Sequence, residues 1–377
     1  MKVAFYAPLK PPDSPVPSGD RLIGRMLWRA IEAGGHKVVL ASRLRSFDRQ
    51  GNADRQTRIA RIGAWTARRV IQRLQSSAER PDIWLTYHLY HKAPDYLGPV
   101  VARELGIPYC VAEASSSARQ ADGAWASGHR ATANALRVAN LVVSLNPKDE
   151  PGIRPLIAAA ARIVTLQPFI EGQPFQSARQ AHDSHRATWA AKLGLDPSVP
   201  WLIAVAMLRS GDKATSYSVL GSALERLRDR PWQLLVVGDG PARNEIKKCY
   251  APLGNRVRFA GQQSSEIVAT LMGASDIFTW PAINEAIGMV FIEAAMAGLP
   301  VVGADRPGIV AIVQHARTGL LVPEHDSAAF ADAVARLLGD ANQRSAMGAA
   351  AAIHAASHNS VTVAGPLFCR QLEAMIR

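Results

Sequence analysis

Short apolar runs alternate with longer amphipathic segments along most of the chain. The first apolar run covers residues 1–8, apolar residues at helical spacing cover 21–33, and a second apolar run covers 36–40. Parallel strands need a crossover connection, usually a helix, so this repeat is typical of parallel α/β sheets. The alternation is interrupted by the polar segment 173–186, which we interpret as a linker, and it resumes at residue 201. The pattern therefore predicts an α/β chain with two doubly wound domains.

The element boundaries follow from apolar periodicity and from the glycine and proline residues that interrupt it. The predicted strands are 1–8, 36–40, 81–88, 109–112, 141–145, 162–166, 201–207, 232–237, 256–261, 274–280, 301–302 and 318–322. The predicted helices are 21–33, part of 43–79, 96–105, 129–139, 216–227, 289–297, 327–338, 342–355 and 361–376.

The stretch from Trp280 to Val302 carries two carboxylates in an otherwise apolar setting. Glu293 lies inside its helix, and Glu285 precedes that helix in a short loop. An ionised carboxylate is costly to bury unless hydrogen-bond donors meet it. Either Glu285 complements the helix dipole and Glu293 lies on a solvated edge, or both glutamates accept hydrogen bonds from a polyhydroxylated ligand. The helix N-terminus between them offers backbone N–H groups to a phosphate.

The spacing Glu285-x7-Glu293, with a proline after the preceding strand and AGLPVV after the helix, resembles the signature of the retaining glycosyltransferases of family 4. The resemblance implies the GT-B fold, in which two Rossmann-like domains face an interdomain cleft. It implies a nucleotide diphospho-sugar donor, with Glu285 at the sugar hydroxyls and Glu293 at the nucleotide ribose. The implied boundaries are 1–172 for the acceptor-side domain, 173–186 for the linker, 187–354 for the donor domain and 355–377 for a returning helix.

The resemblance also assigns residues to the donor diphosphate. It places Lys213 there, and Arg209 stands in for an arginine that the family carries where this chain has Met207. The other residues assigned to the donor are Ala286, Ile287, Gly288, Gly238, Ser18 and Gly19. No Asp-x-Asp pair occurs, so we expect neither a divalent metal at the diphosphate nor a cofactor. Retention of configuration is implied by the resemblance.

Polar residues follow two strands of the first domain. Glu113 comes after strand 109–112, in a region where the family commonly carries a histidine. It is either a partner or base for the acceptor hydroxyl, or a loop carboxylate paired with Arg119. His88 and His91 come at the end of strand 81–88. Two histidines without a third ligand are more often surface or substrate contacts than a metal site.

The positive charge is concentrated in one segment. The net charge is +12, and only Asp48 and Asp54 oppose the basic residues of that segment. These residues are Arg43, Arg45, Arg49, Arg55, Arg58, Arg61, Arg68, Arg69 and Arg73. The segment is either a solvated helix or a surface for lipid headgroups, an acidic acceptor or nucleic acid. Its apolar residues, which favour an amphipathic helix on an anionic membrane, are Ile62, Trp65, Val70 and Ile71.

The remaining composition narrows the class of protein. The three cysteines are widely separated and form no CxxC pair, which fits a reducing compartment and predicts no metal site. The chain opens on a strand-like run, not a secretory signal, and no apolar run reaches transmembrane length. We expect a cytoplasmic protein, peripheral on the inner face of the cell membrane, with a glycan or lipid-linked acceptor and no nucleic acid. A basic binding protein for nucleic acid or an anionic polymer, and a GT-B epimerase, are the alternatives.

Overall fold

The structure is a computed structural model that describes residues 1–15, 18–75, 78 and 80–376. The chain divides into two compact units. The first comprises Met1–Phe169 and Val361–Arg377, and the second comprises Ile170–Ser360. Each unit contains a six-stranded sheet, and every strand pair in both sheets is parallel.

The first unit alternates strands with helices. Its strands are β1 (Lys2–Tyr6), β2 (Lys37–Ser42), β3 (Ile83–Leu89), β4 (Tyr109–Ala114), β5 (Leu141–Ser144) and β6 (Arg162–Thr165). Its helices before the second unit are α1 (Gly19–Ala33), α2 (Ala53–Gln75), α3 (Gly98–Leu105), α4 (Ala126–Arg137) and α5 (Glu150–Ile153). The strand order is β2-β1-β3-β4-β5-β6.

The second unit repeats this plan. Its strands are β7 (Trp201–Val205), β8 (Gln233–Val237), β9 (Val257–Gly261), β10 (Ile277–Trp280), β11 (Val301–Ala304) and β12 (Gly319–Val322). Its helices are α6 (Gln173–Gln180), α7 (His182–Leu193), α8 (Asp212–Glu225), α9 (Arg243–Tyr250), α10 (Ser265–Gly273), α11 (Met289–Met296), α12 (Pro307–Val310), α13 (Ser327–Gly339) and α14 (Ala341–His358). The strand order is β12-β11-β10-β7-β8-β9.

Both sheets are covered on their two faces, which explains the continuous apolar runs in the sequence. Every residue of β4, β5, β10, β11 and β12 is buried. Parallel strands with helical crossovers are buried on both sides and therefore carry few polar residues. The prediction of two doubly wound, Rossmann-like domains is confirmed.

The segment 173–186 is not an extended linker, because it forms α6 and the start of α7 within the second unit. Phe175 and Ala178 are buried. Arg186 donates hydrogen bonds to the carbonyls of Pro197, Val199 and Ala274 and to the Asp276 carboxylate. The segment looks like a linker in sequence because its contacts are made by polar side chains.

The chain returns to the first unit at Val361, since α14 extends to His358 with Met347, Ala351 and Ala355 buried. The last helix, α15 (Val361–Glu373), packs on α1, where the Cys369 thiol lies 3.3 Å from the Ala30 carbonyl oxygen. Among the helices of the described residues, none is both long and apolar enough to span a bilayer.

Replacing Arg186 tests whether the segment 173–186 is part of the second unit's fold. Its guanidinium is largely buried, pairs with Asp276 at 2.9 Å and lies 4.4 Å from the Trp201 ring. Removing it takes the ion-pair partner from Asp276, which keeps only the Trp201 N–H as a donor among the described residues, and takes a donor from three carbonyls. We expect Arg186→Ala to lower the free energy of unfolding by about 2 to 4 kcal/mol in urea titrations followed by tryptophan fluorescence. Lys192→Ala, which removes an exposed cation from the same helix, should cost less than about 0.5 kcal/mol. Equal losses in the two variants would contradict this assignment.

Candidate active site

The loop between β10 and α11 has an unusual backbone that is fixed by its surroundings. Ala282 and Asn284 have φ of 52° and 54°, in the left-handed region that side chains other than glycine rarely adopt. Ala282 is fully buried, and the Ile283 N–H donates to Ser216 Oγ at 3.0 Å. Such conformations persist only where the surrounding structure holds them, and they concentrate at functional sites.

A polar network holds the middle of this loop. The Asn284 side-chain amide donates to Asp212 at 3.1 Å, and its backbone N–H donates to Glu324 at 3.0 Å. Arg306 lies 2.6 Å from both Glu324 carboxylate oxygens and 3.3 Å from Asn284 Oδ1. One Arg306 nitrogen thus bridges both carboxylate oxygens while the other contacts Asn284, which ties Glu324 and Asn284 to one side chain. The sequence pattern did not reveal this network, because its members lie on four separate segments.

Lys213 and Glu285 meet in a direct ion pair at the edge of this loop. Both side chains are partly buried, and Lys213 Nζ lies 5.5 Å from the centre of the Trp280 ring. Lys213 comes from the start of α8 and Glu285 from the loop before α11, so the pair joins the carboxyl ends of β7 and β10. The structure thus brings together two of the predicted site residues.

The beginning of α11 presents unpaired backbone donors beside this ion pair. Gly288 caps the helix with φ of 64° and without a side-chain hydrogen bond. Within the described residues, the N–H groups of Ala286, Ile287 and Gly288 have no hydrogen-bond acceptor. Successive free N–H groups at a helix N-terminus attract anions, phosphates above all.

Glu293 lies one turn further along α11 and is partly buried, among fully buried apolar neighbours. In the part of the chain that the structure describes, its carboxylate accepts no hydrogen bond and forms no ion pair. Burial raises the pKa of this carboxyl to about 7. An acceptor held in such a place is satisfied best by hydroxyl donors of a ligand.

The other donor residues predicted from the sequence have different surroundings. Arg209 is exposed, and its guanidinium forms no ion pair among the described residues, so its assignment to the diphosphate stays a prediction. Gly238, with φ of 142°, is required by packing, because a Cβ there would lie 2.0 Å from the Ala206 carbonyl oxygen. Ser18 caps α1 by accepting from the Arg21 N–H at 3.2 Å, whereas a Cβ at Gly19 would contact nothing.

Glu113 occupies the carboxyl end of β4 in the first unit. It is 8% exposed, has φ of 60° and accepts a hydrogen bond from the Leu145 N–H at 3.1 Å. Burial, reinforced by the charges of Asp149 and Asp20, raises its pKa to about 7 against the opposing charge of His88. No pair with Arg119 forms among the described residues, and Arg119 is exposed. The alternative of a solvated loop ion pair is therefore wrong.

His88 faces Glu113 from the neighbouring strand. The register of β3 and β4 pairs Tyr87 with Ala112 and Leu89 with Ala114, so His88 lies opposite Glu113. His88 Nδ1 is 3.1 Å from Asp20 Oδ1. Burial lowers the pKa of His88, but the contact with Asp20 and its charge raise it above the ordinary value overall. The sequence gives no sign of Asp20 as a partner, because it is 68 positions before His88.

Among the described residues, no group of three His, Cys, Asp or Glu side chains is placed to hold a metal ion. The predicted donor residues of the second unit instead combine a lysine, two glutamates and free N–H groups. These are groups suited to a diphosphate and to sugar hydroxyls.

Comparisons with known proteins identify the fold and a family that the chain resembles. Residues 200–340 match the family model described as Glycosyl transferases group 1. The structure of Anabaena Alr3699/HepE in complex with UDP is 18% identical, covers 99% of this chain and 100% of its own, and has a TM-score of 0.75. The chain thus has the GT-B fold, and its resemblance to the group 1 glycosyltransferases, predicted from the sequence, is confirmed.

Two relatives of known name match shorter parts of the chain. Alpha-D-kanosaminyltransferase of Streptomyces kanamyceticus is 28% identical over 64% of this chain and 61% of its own length. D-inositol 3-phosphate glycosyltransferase of Nocardia farcinica is 36% identical over 45% of this chain and 40% of its own. The matches span less than two thirds of either relative.

Replacing Glu293 should stabilise the protein at alkaline pH. The folded pKa of about 7 lies above the ordinary 4.5, so the unfolded chain loses this proton first as the pH rises. Stability therefore falls between these two values and stays reduced above the higher one. We expect Glu293→Gln to raise the free energy of unfolding by roughly 1 to 3 kcal/mol at about pH 8 and by less at about pH 5.

Urea titrations at the two pH values check this expectation. Glu245→Gln, which changes an exposed glutamate of α9 in the same unit, is the matched control and should show no such gain. A Glu293→Gln variant less stable than the parent protein at the higher pH would show that the carboxylate has protein donors.

Proposed function

We propose that this protein is a glycosyltransferase that moves a sugar from a nucleotide diphospho-sugar to a hydroxyl acceptor, without a metal ion and with retention of configuration. The proposal rests above all on one arrangement in the second unit. The Lys213–Glu285 pair lies beside the free N–H groups of residues 286–288, and Glu293 follows within the same helix. The cation comes from the start of α8 after β7, whereas the helix N-terminus and both carboxylates come from the loop and helix after β10.

Each group has a distinct task in this proposal. The Lys213 ammonium and the N–H groups of residues 286–288 stabilise the negative charge that grows on the departing diphosphate. Glu285 and Glu293 accept hydrogen bonds from hydroxyls of the sugar and the ribose, which fixes the donor in place. As the bond from the anomeric carbon to the phosphate oxygen lengthens, the sugar acquires oxocarbenium character. The acceptor hydroxyl attacks the face that the nucleotide diphosphate leaves, and its proton passes to the departing phosphate oxygen.

The relatives and the similar structure support sugar transfer from a nucleotide-sugar donor. The two relatives are named for kanosaminyl transfer and for glycosyl transfer to D-inositol 3-phosphate, and the similar structure was solved with UDP. UDP and UDP-glucose are therefore the first probes to use, followed by other nucleotide sugars. Retention of configuration is supported by the family resemblance. An NMR measurement of the anomeric configuration of the product would test it.

The role of Lys213 can be tested by comparing a nucleoside diphosphate with the free nucleoside. A charged hydrogen bond lost from a partly buried site is worth roughly 1.5 to 3 kcal/mol, which is about tenfold or more in affinity. We therefore expect Lys213→Ala to weaken UDP binding at least tenfold in calorimetry with excess EDTA, while uridine binding changes little.

Lys248→Ala, which removes an exposed lysine of α9, is the control and should leave both affinities unchanged. An equal loss for UDP and uridine would place Lys213 away from the diphosphate. UDP binding or sugar transfer that disappears in EDTA and returns with magnesium or manganese would contradict the metal-independent mechanism.

The outward face of α2 supports a second part of the proposal, peripheral binding to an anionic membrane. Ile62 and Trp65 are 43% and 57% exposed, and the Arg69 guanidinium lies 4.6 Å from the Trp65 ring. The exposed arginines around them are Arg58, Arg61 and Arg68. Apolar side chains surrounded by arginines are typical of helices that lie on a lipid surface.

Two apolar residues assigned to this face belong elsewhere. Val70 is buried in the core of the first unit, and Ile71 packs against that core. Arg73 donates to the Ala41 carbonyl oxygen at 2.6 Å and therefore also serves the fold. The lipid-facing group is reduced to Ile62, Trp65 and the arginines beside them.

Vesicle co-sedimentation tests this surface. Each cation near an anionic membrane adds about 1 kcal/mol, so Arg61→Gln with Arg68→Gln should reduce binding to anionic vesicles at low salt by about tenfold or more. Arg25→Gln with Arg137→Gln, exposed arginines on α1 and α4, should have a smaller effect. Equal and negligible sedimentation with anionic and neutral vesicles at low salt would reject membrane binding.

A further inference from the structure

Four titratable side chains converge at the carboxyl ends of neighbouring strands in the first unit. Asp20 begins α1 after β1, His88 ends β3, Glu113 ends β4, and Asp149 follows β5. These strands are adjacent in the order β1-β3-β4-β5. The charges of all three carboxylates act on the His88 imidazole and raise its pKa, against the lowering effect of burial. The four groups therefore form one electrostatic cluster.

A buried hydroxyl in this cluster has no partner. Tyr87 is 1% exposed, and its hydroxyl makes no hydrogen bond among the described residues. Burial, together with the charges of Asp20 and Glu113, raises the pKa of this hydroxyl well above its ordinary range. The hydroxyl thus lies close to two carboxylates without bonding to either. Buried polar groups are nearly always paired in folded proteins, so an unpaired one beside charged groups indicates a ligand contact.

The backbone at the centre of the cluster is held in a costly conformation. His88 and Glu113, opposite each other on adjacent strands, have φ of 62° and 60°. Both are residues for which this left-handed region is unfavourable by roughly 1 to 3 kcal/mol each. The positive φ at the end of both strands directs the side chains of His88 and Glu113 toward the same cluster. A positive φ at the strand end is not required for pairing, because β5 pairs with β4 and no residue of β5 has a positive φ.

The cations near the cluster offset only part of its negative charge. His88 lies 3.1 Å from Asp20, and the charge of Lys10 lowers the pKa of the Asp20 carboxyl although burial raises it. The charge of His88 and one hydrogen bond each lower the pKa of Glu113 and Asp149, but burial raises the pKa of each carboxyl overall. An incoming cation would relieve both carboxylates, whereas a phosphate would meet repulsion.

We propose that this cluster binds an ammonium group of the acceptor, so that the acceptor is an amino sugar or an aminocyclitol. Glu113 and Asp149 hold the ammonium group, and Asp20, His88 and the Tyr87 hydroxyl bind the hydroxyls beside it. This inference rests on the proposed glycosyl transfer and specifies the acceptor class. The six arginines of α2 are not among the charges that shift the pKa of Asp20, His88, Glu113 or Asp149.

Calorimetry at about pH 7 with paired probes tests the inference. The probes are D-glucosamine and a set of aminocyclitols, each compared with its N-acetylated counterpart, and glucose 6-phosphate as an anionic sugar. We expect at least one amine to bind at least tenfold more tightly than its N-acetylated form, and glucose 6-phosphate to bind more weakly than glucosamine. Glu113→Gln and Asp149→Asn should each remove most of the preference for the amine. Asp122→Asn, an exposed carboxylate of the same unit, should retain it.

UDP titrations of the same samples separate the two proposals. UDP affinity should be unchanged in all three variants, which shows that the donor site is intact, and urea titrations should give each variant the stability of the parent protein to within about 1 kcal/mol. If UDP binds but no amine is preferred, or if the preference survives in both Glu113→Gln and Asp149→Asn, the amine site is wrong and the glycosyltransferase proposal stands. If neither UDP nor any nucleotide sugar binds, the proposed function fails, and the acceptor role of the cluster fails with it.

Discussion

A parallel strand returns to its sheet only through a crossover, so all strands of one sheet end at the same edge. This constraint brings together side chains that are far apart in the sequence. In the second unit it joins the loops after β7 and β10, and Lys213 meets Glu285 there. In the first unit it gathers Asp20, His88 and Glu113, which come from three different crossovers. The helices fill the two faces of each sheet and leave this edge free for loops.

Two glutamates, Glu113 and Glu293, are unfavourable in the folded protein when their carboxyls are ionised. Burial raises the pKa of both Glu113 and Glu293 to about 7, but their environments differ. Glu113 has a backbone donor, a histidine and two other carboxylates around it, whereas Glu293 lies on a helix face without donors. Each destabilises the unliganded protein when it is ionised. A ligand that supplies hydroxyls or a cation would restore this stability, which couples ligand binding to folding free energy.

Small residues matter here because they permit close approach of loops. Gly308 lets α12 approach the Glu285 loop, since a Cβ there would lie 2.1 Å from the Ala286 carbonyl oxygen. Gly238 does the same for the loops after β7 and β8, where Ala206 is the neighbour. Both glycines shape the site through packing. Their presence in a ligand-binding motif therefore does not by itself show that they touch the ligand.

The sequence pattern predicted the class of sheet and the order of most elements, because apolar periodicity and helix-ending glycines act over a few residues. The Glu285–Glu293 spacing can be read directly from the sequence. The pattern failed at 173–186, where a long arginine side chain and few apolar residues provide the packing. It also misplaced Val70 and Ile71, since periodicity gives the faces of a helix but not which face meets the core. The pairing of Lys213 with Glu285 and the cluster of Asp20 with His88 and Glu113 were decided only by tertiary structure. These contacts join distant positions, and strand order, which no local pattern encodes, determines which of them meet.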